Sequence, residues 1–446
     1  MDVHVHSSPS TQINNLKSQI YSPITGIIKS VGYILPSYGD SDAAVLGADL
    51  TGVHNLVGLP EPKPGSYHIG GTGFLRFEPL IRTFGESIER YAGVVSALSL
   101  EQAGKFSSYN ELAEENSNSV IDMNYLDIYN QNQLLSSDIP FKKFDRTSQY
   151  KWIELPDLAN PDCKKWAPVQ KLSIGYAPES KMSENRFDMA VSSGTAAHTD
   201  PRKAIISSIL ELIQVDSAIG HWYGNLESVK IILDNRTRNL TNILNRFSKR
   251  ANIKYDFFLL PSPGFNVFSV ACIAEDTLKR KPRLGVGLGI SLNLEEALYK
   301  SLLEGIGVFS LAKWNLINDA FNEPNHTSHL DFDSSVATAA TDCGAENVAK
   351  RFNSVASVNA SDIPSDYLEQ GTDELRYLVE EFKKQDMSLL FLDFTTDDIK
   401  MLGFTVSRVW SPNLLALCFP NIPPLMHPRF ASYGGATRPI VPHPYP

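Results

Sequence analysis

Short apolar runs and long apolar runs alternate along the chain. Runs of β-branched and aromatic residues predict strands: VKIILD at 229–234, YDFFLL at 255–260, NVFSVACIA at 266–274, LLFLDF at 389–394 and FTVSRVWSP at 404–412. Such side chains fit a pleated, half-buried surface. Three longer stretches, 76–98, 201–221 and 293–311, read as apolar helices. Asp200 followed by Pro201 supplies the second with a cap and a first-turn proline. The alternation predicts an α/β or α+β fold, a large mixed sheet with packed helices. Two polar stretches, 102–149 and 318–371, interrupt the pattern. Their flanks are apolar, so they read as surface insertions within one unit. The expected organisation is an N-terminal extension over 1–25 and one domain over 26–446.

The helices carry acids in apolar company. In FGESIERYAG, Glu86 and Glu89 are three apart and share a face, and Arg90 stands four after Glu86. In IISSILELIQVD, Glu211 and Gln214 repeat the spacing among Ile209, Leu210, Leu212, Ile213 and Val215. A helix apolar all round is buried, and a carboxylate in it needs a partner. In LEEALYKSLLEGIGVF, Lys300 and Glu304 stand four apart among leucines. Taken singly, each acid reads as a salt-bridged or helix-end group. Three such helices together favour convergence on a hard, oxygen-seeking cation. Magnesium takes one or two carboxylates, with waters and substrate phosphates completing its shell. Glycine-bearing turns, SYHIGGTGF (66–74) and AVSSGTAAHTDP (190–201), precede two of the helices and let phosphate approach backbone N–H groups. No GxxxxGK[ST] loop occurs, so a nucleotide site here is not a P-loop.

Composition narrows the setting. The 446 residues carry a net charge of −10 with no basic block, which argues against nucleic-acid binding. The four cysteines form no CxxC pair, the N-terminus lacks signal-peptide order, and no apolar run is long enough for a membrane span. The expected setting is the cytoplasm. His4 and His6 near the N-terminus read as incidental. The chain closes on VPHPYP, with Pro442, Pro444 and Pro446 on alternate positions. Such a tail loses little entropy when held in one place. On its own it reads as an inert rod or as a ligand for an aromatic groove on another protein.

The ordered set GGTGF…FGESIERYAG, SSGTAAHTDPRKAIISSILELIQVD and GLGISLNLEEALYKSLLE is followed by GFTVSRVWSPNLLALCFPNIPPL at 403–425. This set resembles the YcaO family, from about Gly26 to the end of the chain. The resemblance implies an ATP- and Mg²⁺-dependent cyclodehydratase. Such an enzyme phosphorylates a backbone amide oxygen and turns Cys, Ser or Thr of a ribosomal precursor peptide into thiazoline or oxazoline. It further implies that Glu86, Glu89, Glu211 and Gln214 hold magnesium, Gln214 standing where a second glutamate is usual. Arg90, Thr199, Lys300 and Glu304 would complete the nucleotide site. The tail Pro442, Pro444 and Pro446 would bring the terminal carboxylate to the active site as a base or proton relay. Departures from the family pattern are Thr72 for a lysine, Thr199 for an asparagine, Lys203 for an acid, and Val215 and Lys300 for arginines. The implied partners are an E1-like or leader-recognition protein and a flavin dehydrogenase, with a homodimer inside the complex. The alternatives are thioamide or amidine formation on the same scaffold, or a non-catalytic nucleotide- or partner-binding role.

Overall fold

The computed structural model describes residues 8–56, 69–116, 119–135, 139–179, 182–321, 332–353, 356–368, 371–420 and 422–445. His4, His6 and Pro446 lie outside them, as does 322–331 of the second polar stretch. Helix α1 (Pro9–Ile20) leads into β1 (Ile28–Ile34), β2 (Ala44–Leu50), a single turn α2 (Val53–Leu56) and β3 (Ile69–Gly73). Next come α3 (Glu78–Ala103), β4 (Lys105–Ser108), α4 (Tyr109–Glu115), α5 (Gln131–Leu134), β5 (Gln149–Pro156), β6 (Lys164–Pro168) and β7 (Thr195–His198). The middle of the chain holds α6 (Pro201–Tyr223), β8 (Val229–Ile232), α7 (Arg238–Phe247), β9 (Ile253–Leu259), β10 (Phe268–Asp276), β11 (Leu284–Ser291) and α8 (Leu294–Phe321). The last part holds α9 (Phe332–Ala339), α10 (Asp342–Phe352), β12 (Ser357–Asn359), α11 (Glu374–Lys384), β13 (Leu390–Asp393), α12 (Asp397–Met401) and β14 (Thr405–Trp410).

The fold class is mixed α/β, but the one large sheet expected is divided into four among the described residues. Their orders are β1-β2-β3, β4-β5-β6, β13-β14-β7 and β11-β10-β9-β8-β12. Among the described strand pairs, β12–β8 is parallel and the rest are antiparallel. The three long helices expected from the sequence are α3, α6 and α8, and α8 runs ten residues past its expected end at 311.

The first polar stretch is not a detached surface excursion. It supplies β4, and it sends Leu112, Ile121, Leu126 and Phe144 into a core shared with Trp152, Val406 and Trp410. Its polarity comes from helix caps and surface positions. Ser108 and Asn130 cap α4 and α5 as capping boxes, with Glu111 and Gln133 returning the bond. The N-terminal helix is likewise part of the body: Ile13 and Ile20 are buried with Ile28 and Phe84.

Strand β11 escaped the sequence reading because Gly285, Gly287 and Gly289 occupy alternate positions, which lowers β-propensity. Helix α8 lies against that glycine face. A Cβ on Gly287 would stand 2.0 Å from the Gly305 nitrogen, and one on Gly289 would stand 2.4 Å from the Ser301 nitrogen. The bare face is what lets α8 reach the sheet backbone and place its side chains at the site.

The chain's last third is tied to α6 by a buried network. Asp216 accepts from Arg429 Nη2 at 2.7 Å, Tyr433 Oη at 2.8 Å and the Leu415 amide at 2.9 Å. Asp216 and Tyr433 are fully buried. Exchanging Arg429 for methionine strands a carboxylate in the interior, so we expect a loss of about 3–5 kcal/mol in a urea melt.

His427 and His443 are both buried. Burial pulls the first down to about 3 and the second to about 4, from an ordinary 6.5. The unfolded chain binds these protons more readily. Stability is therefore full above pH 6.5 and is lost as pH falls through the folded values. For His443 alone the gap corresponds to about 3 kcal/mol. Thermal melts between pH 7 and 4 check this: the midpoint falls with acid, and His443→Asn flattens the slope.

Candidate functional site

Helices α3, α6 and α8 converge on one cavity of about 1240 Å³. Glu86, Glu89 and Arg90 reach its wall from α3, Glu211 and Gln214 from α6, and Lys300 and Glu304 from α8. Thr199, from the turn before α6, lines it as well, as do Thr72 and Val215. Lys203 does not line it; the residue is exposed on the first turn of α6. The acids are half-buried rather than fully enclosed, because the apolar helices around them open onto the cavity.

Local chemistry sets the helix starts. Asp200 accepts from the Arg202 amide at 2.9 Å and Pro201 opens the first turn. Before it, Gly194 sits at φ +85°, and a Cβ there would meet the Val409 carbonyl at 2.4 Å. Only glycine allows this turn, which brings Ser192, Ser193 and Thr195 to the cavity wall.

The acids interact across the helices. Glu86 accepts from the Gly70 amide at 2.9 Å and pairs with Arg90 Nη2 at 3.4 Å. Glu89 is driven well above the usual carboxylate range by burial first, then by Glu211 and Glu86, against the pull of Arg90 and Arg408. Burial lifts Glu211 to about 8; Glu304 and Glu86 add to this while Arg90 and Arg408 oppose it. Burial also raises Glu304 to about 7, with Glu86 adding, against a hydrogen bond from the Leu288 amide. Three desolvated carboxylates thus hold protons that a cation would displace. Lys300 pairs with Glu296 at 2.9 Å rather than with Glu304.

The donor set fits a magnesium nucleotide. The carboxylates, the Gln214 amide and the wall hydroxyls are oxygen donors, the ligands a hard cation takes. Arg90 Nε is buried with no hydrogen-bond partner, a free donor suited to an anion. Among the described residues no three His, Cys, Asp or Glu side chains already form a metal cluster. Glu86 is turned toward Gly70 and Arg90 instead. An incompletely assembled donor set suits an ion that keeps waters and phosphate oxygens in its shell.

Three contributors were not found in the sequence. Arg408 on β14 is buried, donates to Thr195 Oγ1 at 2.9 Å, and counters the acids from the strand beside β7. An arginine centred in the apolar run FTVSRVW was the available signal, since a buried guanidinium needs an acid. Ile13 and Leu16 of α1 line the apolar side of the cavity. Tyr445 lines it from the tail, where Pro442 is half-buried and Pro444 buried.

The model of the YcaO cyclodehydratases, described as ATP- and Mg²⁺-binding, matches residues 70–415. No curated protein sequence matches the chain significantly. Among solved structures, a heterocyclase in complex with substrate and cofactor is similar, with TM-score 0.65 and 17% identity over 92% of this chain. The chain spans about half that protein's length, 52%. The YcaO protein of Methanopyrus kandleri bound with AMPPCP and Mg²⁺ gives TM-score 0.58 and 16% identity, over 93% of this chain and 90% of that one. The E. coli microcin synthetase McbBCD complex gives 0.57 and 13%, over 96% and 99%. These likenesses establish the fold.

Proposed function

The chain belongs to the YcaO family, and on that premise we propose that it is an ATP-dependent cyclodehydratase that makes azoline rings in a ribosomal precursor peptide. The observation that carries the proposal is the gathering of Glu86, Glu89, Glu211 and Glu304 from three helices on one cavity wall. In the proposed reaction the thiol or hydroxyl of a substrate Cys, Ser or Thr adds to the preceding carbonyl carbon. The resulting oxyanion takes the γ-phosphoryl group of ATP, and ADP departs. Loss of the amide proton and of phosphate leaves a C=N bond in a five-membered ring.

The chain's share is positioning and charge balance. Glu86, Glu89, Glu211 and Gln214 would hold magnesium, which supplies charge neutralisation to the phosphates. Arg90 and Lys300 face the same cavity as cations for phosphate oxygens. Thr199 offers a hydroxyl, and Glu304 adds a further carboxylate to the same wall from α8. We assign the tail, Pro442 to Pro446, to the placement of a base near the reacting amide. Its support is Tyr445 in the cavity wall.

We further place this chain in a cytoplasmic complex with an E1-like or leader-recognition partner. A flavin dehydrogenase acts afterwards and the chain pairs as a homodimer. The microcin synthetase it resembles is itself a complex. No described helix is long and apolar enough to cross a membrane.

Incubation with precursor peptide, partner and ATP tests the reading by mass spectrometry. Each ring removes one water from the peptide and consumes ATP. A peptide of unchanged mass with ATP intact contradicts it, and a gain of sulfur in place of oxygen would point to thioamide chemistry.

A further inference from the structure

The tail alternates proline with residues that keep an N–H, and those residues hold it. Proline has no amide to donate, so Pro442 and Pro444 cannot anchor the tail as backbone donors. Arg438 Nε donates to the Gly224 carbonyl at 2.7 Å and Trp222 Nε1 to the Val441 carbonyl at 2.9 Å, which brings the chain to the interior. Beyond Val441 the fixed points are His443 and Tyr445, both buried.

His443 makes two hydrogen bonds of opposite sense. Its Nδ1 accepts from the Tyr445 amide at 3.3 Å, and its Nε2 stands 2.7 Å from the Cys418 carbonyl. An acceptor at Nδ1 and a carbonyl at Nε2 require the neutral ring with hydrogen on Nε2. Burial pulls the ring's pKa down to about 4, which keeps that form at neutral pH. The Tyr445 ring stacks on His443 at 5.6 Å and meets Trp222 edge-on at 6.1 Å. From there Tyr445 lines the cavity together with Gln214 and Val215.

We propose that His443, neutral and hydrogen-bonded on both nitrogens, is a positioning residue that fixes Tyr445 in the wall of the reaction cavity. It is the peg between the loop after β14 and the end of the tail. The inference rests on the proposed role of the tail, and it assigns the register of that tail to the residues between the prolines.

Two substitutions separate the two hydrogen bonds. In His443→Asn the amide oxygen stands where Nδ1 was and can accept from Tyr445. In His443→Gln the amide nitrogen stands where Nε2 was and can serve only Cys418. Hydrogen exchange of the C-terminal peptide in the full-length protein reads Tyr445 directly, because between Pro442 and Pro446 only His443 and Tyr445 carry amides. His443→Ala should speed exchange at Tyr445 by about tenfold or more, the loss of one buried hydrogen bond. His443→Asn should restore protection to within about threefold and His443→Gln should not. Affinity for AMPPCP with Mg²⁺, measured by calorimetry, should stay within about twofold in all three. Unchanged exchange in His443→Ala overturns the inference, and so does equal rescue by glutamine and asparagine. If His443→Ala fails to fold, the Asn–Gln contrast still decides it.

The arms also separate this inference from the reading beneath it. If loosening Tyr445 leaves ring formation intact, the tail's catalytic role falls while the positioning by His443 stands. If deleting the tail stops ring formation but His443→Ala leaves exchange unchanged, the reverse holds.

Discussion

Exchanging Glu211 for alanine is expected to abolish ring formation, by about 10³-fold or more in kcat/KM, while leaving the fold as stable or more so. The two halves of that outcome have one cause. Glu211 sits on α6 between Leu210 and Leu212, both buried, and faces the cavity wall. Burial, Glu304 and Glu86 lift it to about 8 despite Arg90 and Arg408. A carboxylate whose folded value is raised this far opposes folding once ionised. Stability is full below the ordinary 4.5 and is lost as pH rises through about 8. Removing the acid removes that penalty, about 4 kcal/mol at pH 8 before the packing lost with the side chain is counted, so the alanine variant gains most at the higher pH. A structural acid, satisfied by an ion pair, gives the opposite pattern: stability falls and activity changes little. Thermal melts at pH 6 and pH 8, set beside peptide turnover, distinguish the two.

Deleting residues 442–446 is the second large effect. The shortened chain keeps the hydrogen bond from Trp222 to the Val441 carbonyl and the Asp216–Arg429 network, so it folds. It loses the buried Tyr445, at a cost of about 2–3 kcal/mol. Ring formation should drop by about 10³-fold or more, because the cavity loses part of its wall and the group that the tail positions. Binding of AMPPCP with Mg²⁺ and of the partner protein should persist. A tail that served as a proline-rich ligand for another protein would show the converse: partner capture lost and chemistry retained. Co-purification with the partner, with turnover measured in parallel, separates these outcomes.

The acids of the candidate site were more legible in the sequence than the scaffold that carries them. Glu86, Glu89, Glu211 and Glu304 stood out because a carboxylate in an apolar helix is costly, and that cost is visible in the residue order itself. The cavity explains how they are tolerated: they face solvent-sized space and each other rather than a dry core. Strands whose apolar content was continuous, such as β9, β10 and β14, were legible too. β11 was not, because what it needs is the absence of side chains against α8, and alternate glycines look like turns in a one-dimensional reading. Stretch 102–149 misled in the other direction. Its core contacts come from scattered apolar residues, Leu112, Ile121, Leu126 and Phe144 in one cluster and Ile128, Tyr129 and Phe141 in another, separated by capping groups that made the average polar. Division into four sheets was invisible for a general reason: strand pairing is set by contacts distant in sequence, and no local pattern reports it. The same holds for Arg408, whose role depends on α3 and α6 packing over β14 and β7.

The tail shows a finer version of this. Three prolines announce stiffness, and stiffness is all they contribute. Where the rod ends is decided by His443 against Cys418 and by Tyr445 against Trp222, partners that lie 25 residues back for the first bond and on α6 for the ring contact.

The most direct measurement is a crystal structure of this chain with AMPPCP and Mg²⁺. The account predicts the triphosphate in the cavity between α3, α6 and α8, with Glu86, Glu89 or Glu211 oxygens about 2.0–2.1 Å from magnesium. Nucleotide bound elsewhere, or magnesium held by none of these acids, would contradict it.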